Sequence, residues 1–371
     1  MKAFRTTGLF LLLVLFCPTS VLPSGDRLTL NAKINGESIR LAFDTGMPIP
    51  LTILTPTARK LSLKTEERNG RKYAFFTIYI AGHEVVNAQA LVTDSIPFPD
   101  IDGVVGWPAL LGNIWRIQWG NMSLSIMSSI PKEIFSWKTL KLDTQSPMAA
   151  AFLSENSDGL VYLDTGHTGG IALSESRWKN LVQENPHLPR TIKSGYLPAA
   201  GGIFSTQLTL VNSFRLGFFE IPCVMIEKNV FRWPRLEAVL GIEALKHFDI
   251  VFELINAKIH LKERPYSLEN FRYNRLGATF LPSSLESDRL VARVLINTPA
   301  YRAGFRSGDI LKKVDNIDMT RWRSDPEIWK KDFWEAGPGT KYIIEVERGQ
   351  ERISFPVSLE EILAIPGCGK R

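Results

Sequence analysis

The sequence predicts a mainly β chain with two similar halves, related by a pseudo-twofold axis, and a smaller β module after them. A short segment occurs twice, at 41–53 and 161–173, as LAFDTGMPIPLTI and VYLDTGHTGGIAL. In each copy apolar residues lead into Asp-Thr-Gly, and a turn-prone stretch returns to apolar residues. This is the pattern of a buried strand, a tight turn and a second strand. The repetition predicts a bilobal arrangement in which both halves fold alike.

A second repeated segment follows each copy of the first. Residues 101–110 read IDGVVGWPAL and residues 236–245 read LEAVLGIEAL, and apolar strand-like runs follow at 113–126 and 247–261. Asp, Thr and Gly alone are common in turns, so the tripeptide by itself is weak evidence. The conserved order of three features in both halves indicates a complete internal repeat.

These repeats resemble the retropepsin and pepsin class of aspartic proteases, in which each half supplies one Asp-Thr-Gly loop and a later aliphatic-aliphatic-Gly segment. The resemblance covers residues 27–262 and implies two β-barrel-like lobes, at 26–140 and 141–264. It also implies the roles of six residues: a catalytic pair, Asp44 and Asp164, and loop residues that support this pair, Thr45, Gly46, Thr165 and Gly166.

The chemistry expected of such a pair follows from charge repulsion. Two carboxylates a few ångströms apart in a poorly solvated cleft do not both ionise easily, so one keeps a proton. The charged member can take a proton from water while the protonated member polarises a peptide carbonyl. No cofactor and no metal are predicted, because the five histidines are isolated from one another and from the cysteines.

The sequence departs from pepsins directly after each motif, where Met47 and His167 stand in place of a Ser or Thr. A hydroxyl there donates to the carboxylate and stabilises its charged form, so its loss raises the affinity for protons. We therefore expect activity at mildly acidic to neutral pH. His167 is either a simple loop residue or a catalytic one.

A flap over the substrate is expected from the family, and two hairpin turns are candidates. The stretch 196–204, YLPAAGGIF, places Gly201 and Gly202 between strand-like runs, and paired glycines permit unusual backbone shapes. The turn at 69–72 is the second candidate. Either turn can also be an ordinary surface hairpin.

The end of the chain resembles a PDZ domain over residues 270–362, after a polar linker-like stretch. The resemblance rests mainly on the segment 290–309, LVARVLINTPAYRAGFRSGD. This resemblance implies that peptide C-termini bind at an exposed sheet edge. Backbone donors for the carboxylate would lie at Leu276, Gly277 and Ala278, and Phe280 would wall the side-chain pocket. The alternative is that 276–280 is only the start of a strand.

The amino terminus resembles a secretory signal peptide over residues 1–25, because basic residues precede an apolar run at 9–16 that is too short to span a bilayer. The predicted location is secreted or periplasmic. Cys17 adds the alternative of lipidation and membrane association. Cys223 and Cys368 remain after signal removal. They either form a disulfide, or Cys223 is a small buried hydrophobe.

Composition limits the function classes. The chain has 371 residues, of which 44% are hydrophobic and 22% charged, as in ordinary globular proteins. Its net charge of +6 is dispersed, which gives no support for a nucleic-acid partner. The expected function is that of an aspartic endopeptidase acting on protein or peptide substrates, with a PDZ module that recruits or regulates them. Two alternatives stay open: an inactive peptide-binding protein, and a PDZ adaptor on a protease fold.

Overall fold

The computed structural model describes residues 27–80, 83–94, 101–143, 150–153, 159–197, 202–216, 219–230, 235–264, 272–283, 287–322, 325, 328, 331–364 and 368. The predicted signal segment, with Cys17, and Gly201 lie outside these residues. The chain is mainly β, as predicted, and its described strands form three sheets of twelve, seven and six strands. None of the helices in the described ranges has the length and apolar character needed to cross a membrane.

The first third of the chain contains nine strands and three short helical segments among its described residues. These are β1 (Thr29–Ile34), β2 (Glu37–Asp44), β3 (Leu51–Leu54), α1 (Thr55–Lys60), β4 (Thr65–Arg68), β5 (Arg71–Ile80), β6 (His83–Thr93), β7 (Gly103–Gly106), a 3-10 helix (Trp107–Leu110), β8 (Ile114–Gln118), β9 (Ser123–Met127) and a second 3-10 helix (Lys132–Ser136). Strands β1 and β2 form a hairpin, and both of its turn residues, Asn35 and Gly36, have positive φ.

The middle of the chain repeats this order with longer hairpins. Its described elements are β10 (Lys138–Lys141), β11 (Ala150–Leu153), β12 (Leu160–Leu163), β13 (Ile171–Leu173), α2 (Glu175–Glu184), β14 (Thr191–Leu197), β15 (Gly202–Leu216), β16 (Phe219–Lys228), β17 (Leu236–Leu240), α3 (Ile242–Leu245), β18 (Phe248–Glu253), a 3-10 helix (Leu254–Asn256) and β19 (Lys258–Glu263).

The strand orders of the two halves match position by position. The first sheet contains the series β1-β2-β7-β3-β6-β5-β4, and the second sheet runs β11-β12-β17-β13-β16-β15-β14. In both, the strand that leads into Asp-Thr-Gly pairs in parallel with the strand of the second repeated segment, β2 with β7 and β12 with β17. The internal repeat read from the sequence is therefore a repeat of topology.

The halves are joined by a pair of hairpins, one from each repeat. Strand β18 pairs antiparallel with β8, so that β8–β9 and β18–β19 lie in one sheet. The indole nitrogen of Trp119 donates to the Phe248 carbonyl oxygen at 2.7 Å. A single apolar core runs through both halves. The two Asp-Thr-Gly loops are therefore positioned on a common framework.

The last part of the chain forms the third sheet. Its described elements are β20 (Ala278–Pro282), β21 (Leu290–Val294), α4 (Pro299–Ala303), β22 (Ile310–Val314), β23 (Ile317–Asp318), β24 (Lys341–Arg348), β25 (Glu351–Ser358) and 3-10 helices at Met319–Arg321 and Phe333–Glu335. The order is β20-β21-β22-β24-β25, with β23 on β22, and the sheet has its own apolar core. We call the residues from 272 onward the third module.

The third module is covalently attached to the second half. Cys223 in β16 forms a disulfide with Cys368, with 5.2 Å between their Cα atoms. The alternative interpretation of Cys223 as a free buried hydrophobe is wrong, because Cys368 lies within bonding reach. The hydroxyl of Thr191 in β14 also donates to the Asn274 carbonyl oxygen.

Candidate active site

The two Asp-Thr-Gly loops meet between the halves. Asp44 ends β2 and Asp164 follows β12, and the residues directly before both aspartates are buried. A Cβ atom placed on Gly46 would lie 2.6 Å from the Cγ atom of Asp164, and one placed on Gly166 would lie 2.5 Å from the Cγ atom of Asp44. Each loop therefore lies against the carboxylate of the other, which only glycine permits at these two positions.

Two buried threonines connect the loops by a reciprocal set of hydrogen bonds. The Thr45 N–H donates to the Thr165 hydroxyl at 3.0 Å, and the Thr165 N–H donates to the Thr45 hydroxyl at 2.9 Å. Each hydroxyl then donates to a carbonyl of the opposite half, Thr45 to Leu163 at 2.7 Å and Thr165 to Phe43 at 2.9 Å. These bonds hold the aspartates in a fixed relation.

The two carboxyl groups lie close enough to interact directly. Burial raises the pKa of Asp44 well above its ordinary value, and the charge of Asp164 and a hydrogen bond between the two side chains raise it further. Asp164 accepts two backbone N–H bonds on Oδ1, from Gly166 at 2.9 Å and His167 at 3.0 Å. Such bonds favour a charged carboxylate. Asp44 likewise accepts the Gly46 N–H on Oδ1 at 2.8 Å, so both loops supply backbone donors to their carboxylates, and burial together with the Asp164 charge is what raises the pKa of Asp44.

In each half, the second repeated segment packs against the aspartate loop. The Gly106 N–H donates to the Pro50 carbonyl at 3.0 Å, and the Gly241 N–H donates to the Gly170 carbonyl at 2.7 Å. A Cβ atom on Gly241 would overlap the ring of His167 and nearby backbone. The glycine of each aliphatic-aliphatic-Gly run is thus required by close packing against the aspartate loop.

The residues after the two motifs differ in surroundings. Met47 is 2% exposed and packs in an apolar cluster with Ala42, Ile101 and Val104. His167 is 5% exposed, and its Nε2 atom lies 3.4 Å from a carboxylate oxygen of Glu227.

The Glu227 carboxylate in turn pairs with the Lys193 amine. Burial lowers the pKa of His167; the Glu227 charge opposes this effect and the Lys193 charge adds to it. We call Lys193, Glu227 and His167 the ionic row. The interpretation of His167 as a simple loop residue does not account for its buried contact with Glu227.

Glu227 and Lys193 were not predicted from the sequence. Glu227 follows the apolar run of β16 and Lys193 lies near the start of β14, with β15 between the two strands. The available signal was a carboxylate at the end of an otherwise apolar strand, because a buried charge requires a partner. The identity of that partner depends on strand pairing, which the local pattern does not give.

The flap candidates are both hairpin turns. Gly202 begins β15 opposite Leu197 of β14, while Gly201 lies outside the described residues. The turn between β4 and β5 is formed by Asn69 and Gly70, both with positive φ. Phe204 of β15 packs against the Met47 cluster, so the longer hairpin reaches the first half.

The residues predicted to bind a peptide carboxylate belong to the third module rather than to the dyad. The Asn274 side-chain oxygen accepts the N–H groups of Leu276 at 3.0 Å and Gly277 at 2.9 Å. Ala278 is buried in β20, and Phe280 packs against Trp334 with ring centroids 5.5 Å apart. The two predicted donors at Leu276 and Gly277 are therefore already occupied within the chain.

Among the described residues, no group of three or more His, Cys, Asp or Glu side chains is placed to hold a metal ion. Comparison with protein-family models and with curated proteins gave no match. The functional argument therefore rests on the geometry of the site.

Proposed function

We propose that the protein is an aspartic endopeptidase whose dyad is formed by Asp44 and Asp164. The observation that carries this proposal is the reciprocal bonding of Thr45 and Thr165, which holds two carboxyl groups in hydrogen-bond contact at the junction of the halves. A buried carboxylate pair with no catalytic role would lower the stability of the protein without a benefit, because like charges in a buried site destabilise the fold. General acid and base catalysis is the use to which such a pair is suited.

The proposed reaction is direct hydrolysis. Charged Asp164 takes a proton from a water molecule, the water oxygen bonds to the peptide carbonyl carbon, and Asp44 donates its proton to the carbonyl oxygen. In the second step the C–N bond breaks, the amine nitrogen takes the proton from Asp164, and Asp44 recovers a proton from the tetrahedral intermediate. Atoms and charge balance, and no covalent link to the enzyme forms.

The architecture we propose is a bilobal pepsin-like body followed by a PDZ domain. The matched strand orders support the first part. The third module supports the second by its separate core and by α4, which begins at Pro299, ends at Ala303 and is followed by Gly304 with φ of 107°. Such a body would bind extended peptides by strand-like backbone hydrogen bonds.

Recruitment of a peptide C-terminus by the third module is also proposed. A carboxylate would have to displace the Asn274 oxygen from the N–H groups of Leu276 and Gly277. The Cys223–Cys368 disulfide supports a secreted or periplasmic location, because disulfides persist in oxidising compartments.

The test is cleavage of a diverse peptide mixture by the chain from residue 26 onward, from about pH 3 to pH 8. The matched control is Asp164→Asn, with folding checked by thermal unfolding. Cleavage by the parent and none by the variant is the expected result. Equal cleavage by both, or none by the folded parent, would reject the assignment of the dyad.

A further inference from the structure

Among the described residues of the first half, no ion pair occupies the place that corresponds to the ionic row. Glu227 is buried, with a side chain 8% exposed, and it contacts His167 on one side and Lys193 on the other. At the matching place after the first motif, the buried Met47 packs against apolar side chains. A buried ion pair seldom adds stability over well-packed apolar groups, so its presence on one side only requires a further reason.

His167 links this row to the dyad through its main chain. Its N–H donates to Asp164 Oδ1 at 3.0 Å, and its carbonyl accepts the N–H of Ile242 at 2.7 Å. Its side chain is held at the other end by Glu227. A displacement of the imidazole ring would therefore move an N–H donor of the charged aspartate.

We propose that Glu227 and Lys193 are positioning residues of the dyad, which hold His167 against Asp164 and whose charges set the acid limb of the pH–rate profile. This inference rests on the proposed peptidase function. The groups that face His167 are Glu227 from β16, Lys193 from β14 and Asp164 from its own loop. Lys193 also acts on Glu335 of the third module, whose pKa burial raises to about 6 and whose rise Lys193 opposes.

Removal of Lys193 and removal of the Glu227 charge are predicted to shift the acid limb of the pH–rate profile in opposite directions. Lys193→Met removes a cation and leaves the Glu227 anion, which disfavours a negative charge on the dyad, so the acid limb moves to higher pH. Glu227→Gln leaves the cation alone, so the acid limb moves to lower pH. Each shift is expected to be about half a pH unit, as for one charge acting through a partly screened protein interior.

A role limited to stability would not produce this result. The matched control is the pair Glu175→Gln and Lys179→Met, since these residues form an exposed ion pair on α2 of the same half, at 3.2 Å. Neither control should move the acid limb. Lys193→Arg keeps the charge and should restore the parent profile, and the double variant of Glu227 and Lys193 should return towards it.

The experiment is a pH profile of kcat/KM for one cleaved peptide, measured on the parent, the two single variants, the double variant and the controls. Opposite shifts support the positioning role. Shifts in the same direction, or no shift in active variants, would overturn that role and leave the peptidase assignment standing. A parent that does not cleave would overturn the proposed function and this role with it.

Discussion

The two halves of the body share a backbone design and differ in polarity around the carboxyl pair of Asp44 and Asp164. Strand order, parallel pairing and threonine bonding are the same on both sides. Met47 is surrounded by apolar side chains in the first half, whereas His167 contacts Glu227 in the second. The symmetric features fix the distance between the carboxyl groups. The asymmetric features place apolar side chains after the Asp44 loop and charged side chains after the Asp164 loop.

The largest expected effect tests whether both halves contribute to one site. Asp44→Asn and Asp164→Asn should each lower kcat/KM by about 10³-fold, because each removes one of the two proton-transfer groups. Steady-state cleavage assays measure the loss, and Asp249→Asn in β18 serves as the control. Full activity in one of the two dyad variants would show that the halves do not share the chemistry.

The next effect tests the symmetry of the threonine bonds. Thr45→Val and Thr165→Val should each lower the free energy of unfolding by about 2–4 kcal/mol, because each leaves a buried N–H and a buried carbonyl unpaired. Urea unfolding measures both. Thr52→Val is the control, since that buried hydroxyl makes only a 3.4 Å bond to Val104 and should cost less. A large difference in the loss of unfolding free energy between Thr45→Val and Thr165→Val would show that the two threonines do not contribute equally.

A third difference concerns the residue that precedes the joining hairpin of each half, Asn113 in the first and His247 in the second. Burial, with a smaller effect of Arg264, lowers the pKa of His247 from 6.5 to about 4. Between these values the unfolded chain binds a proton that the folded chain does not. The contribution of neutral, buried His247 to the free energy of unfolding is therefore fully present above pH 6.5, and it is lost as the pH falls towards 4.

His247→Asn, which copies the first half, should remove this pH dependence, worth about 2–3 kcal/mol at most. Chemical unfolding at a series of pH values measures it. His187→Asn is the control, because this histidine is exposed. An unchanged slope in His247→Asn would show that another group causes the acid sensitivity.

The smallest effect concerns the position after the first motif. Met47→Ser would place a hydroxyl next to the Asp44 loop, where it can donate to the charged carboxylate. Because Asp44 is the protonated member in the proposed mechanism, the alkaline limb of kcat/KM should then move to lower pH by about half a unit relative to Met47→Ala, which creates the same space without a donor. Identical profiles for the two variants would show that the missing hydroxyl does not set the pH range.

The local patterns predicted the Asp44–Asp164 pair but not the contacts between distant strands. Asp44 and Asp164 could be predicted because a charged residue that follows a buried strand, and that recurs with the same surroundings, is a local feature of the sequence. The pairing of β18 with β8 could not be predicted, because it joins segments that lie far apart in the chain.

The same limit explains what was missed or left open elsewhere. The Cys223–Cys368 bond was one of two alternatives, because two cysteines do not reveal their distance in space. The Asn274 side chain that occupies the Leu276 and Gly277 N–H groups lies only two and three residues away, and this is a local turn signal that was missed, since Asn often bonds the backbone two residues on. Strand register, rather than composition, brings Lys193 to Glu227.

The most direct test of the central claim is calorimetric titration with a peptide that carries a hydroxyethylene group in place of the scissile amide. This group mimics the tetrahedral intermediate, so it should bind between the two carboxyl groups. The account predicts one site per chain and a loss of binding of at least about 100-fold in both Asp44→Asn and Asp164→Asn. Binding that survives either substitution unchanged would contradict a single dyad built from both halves.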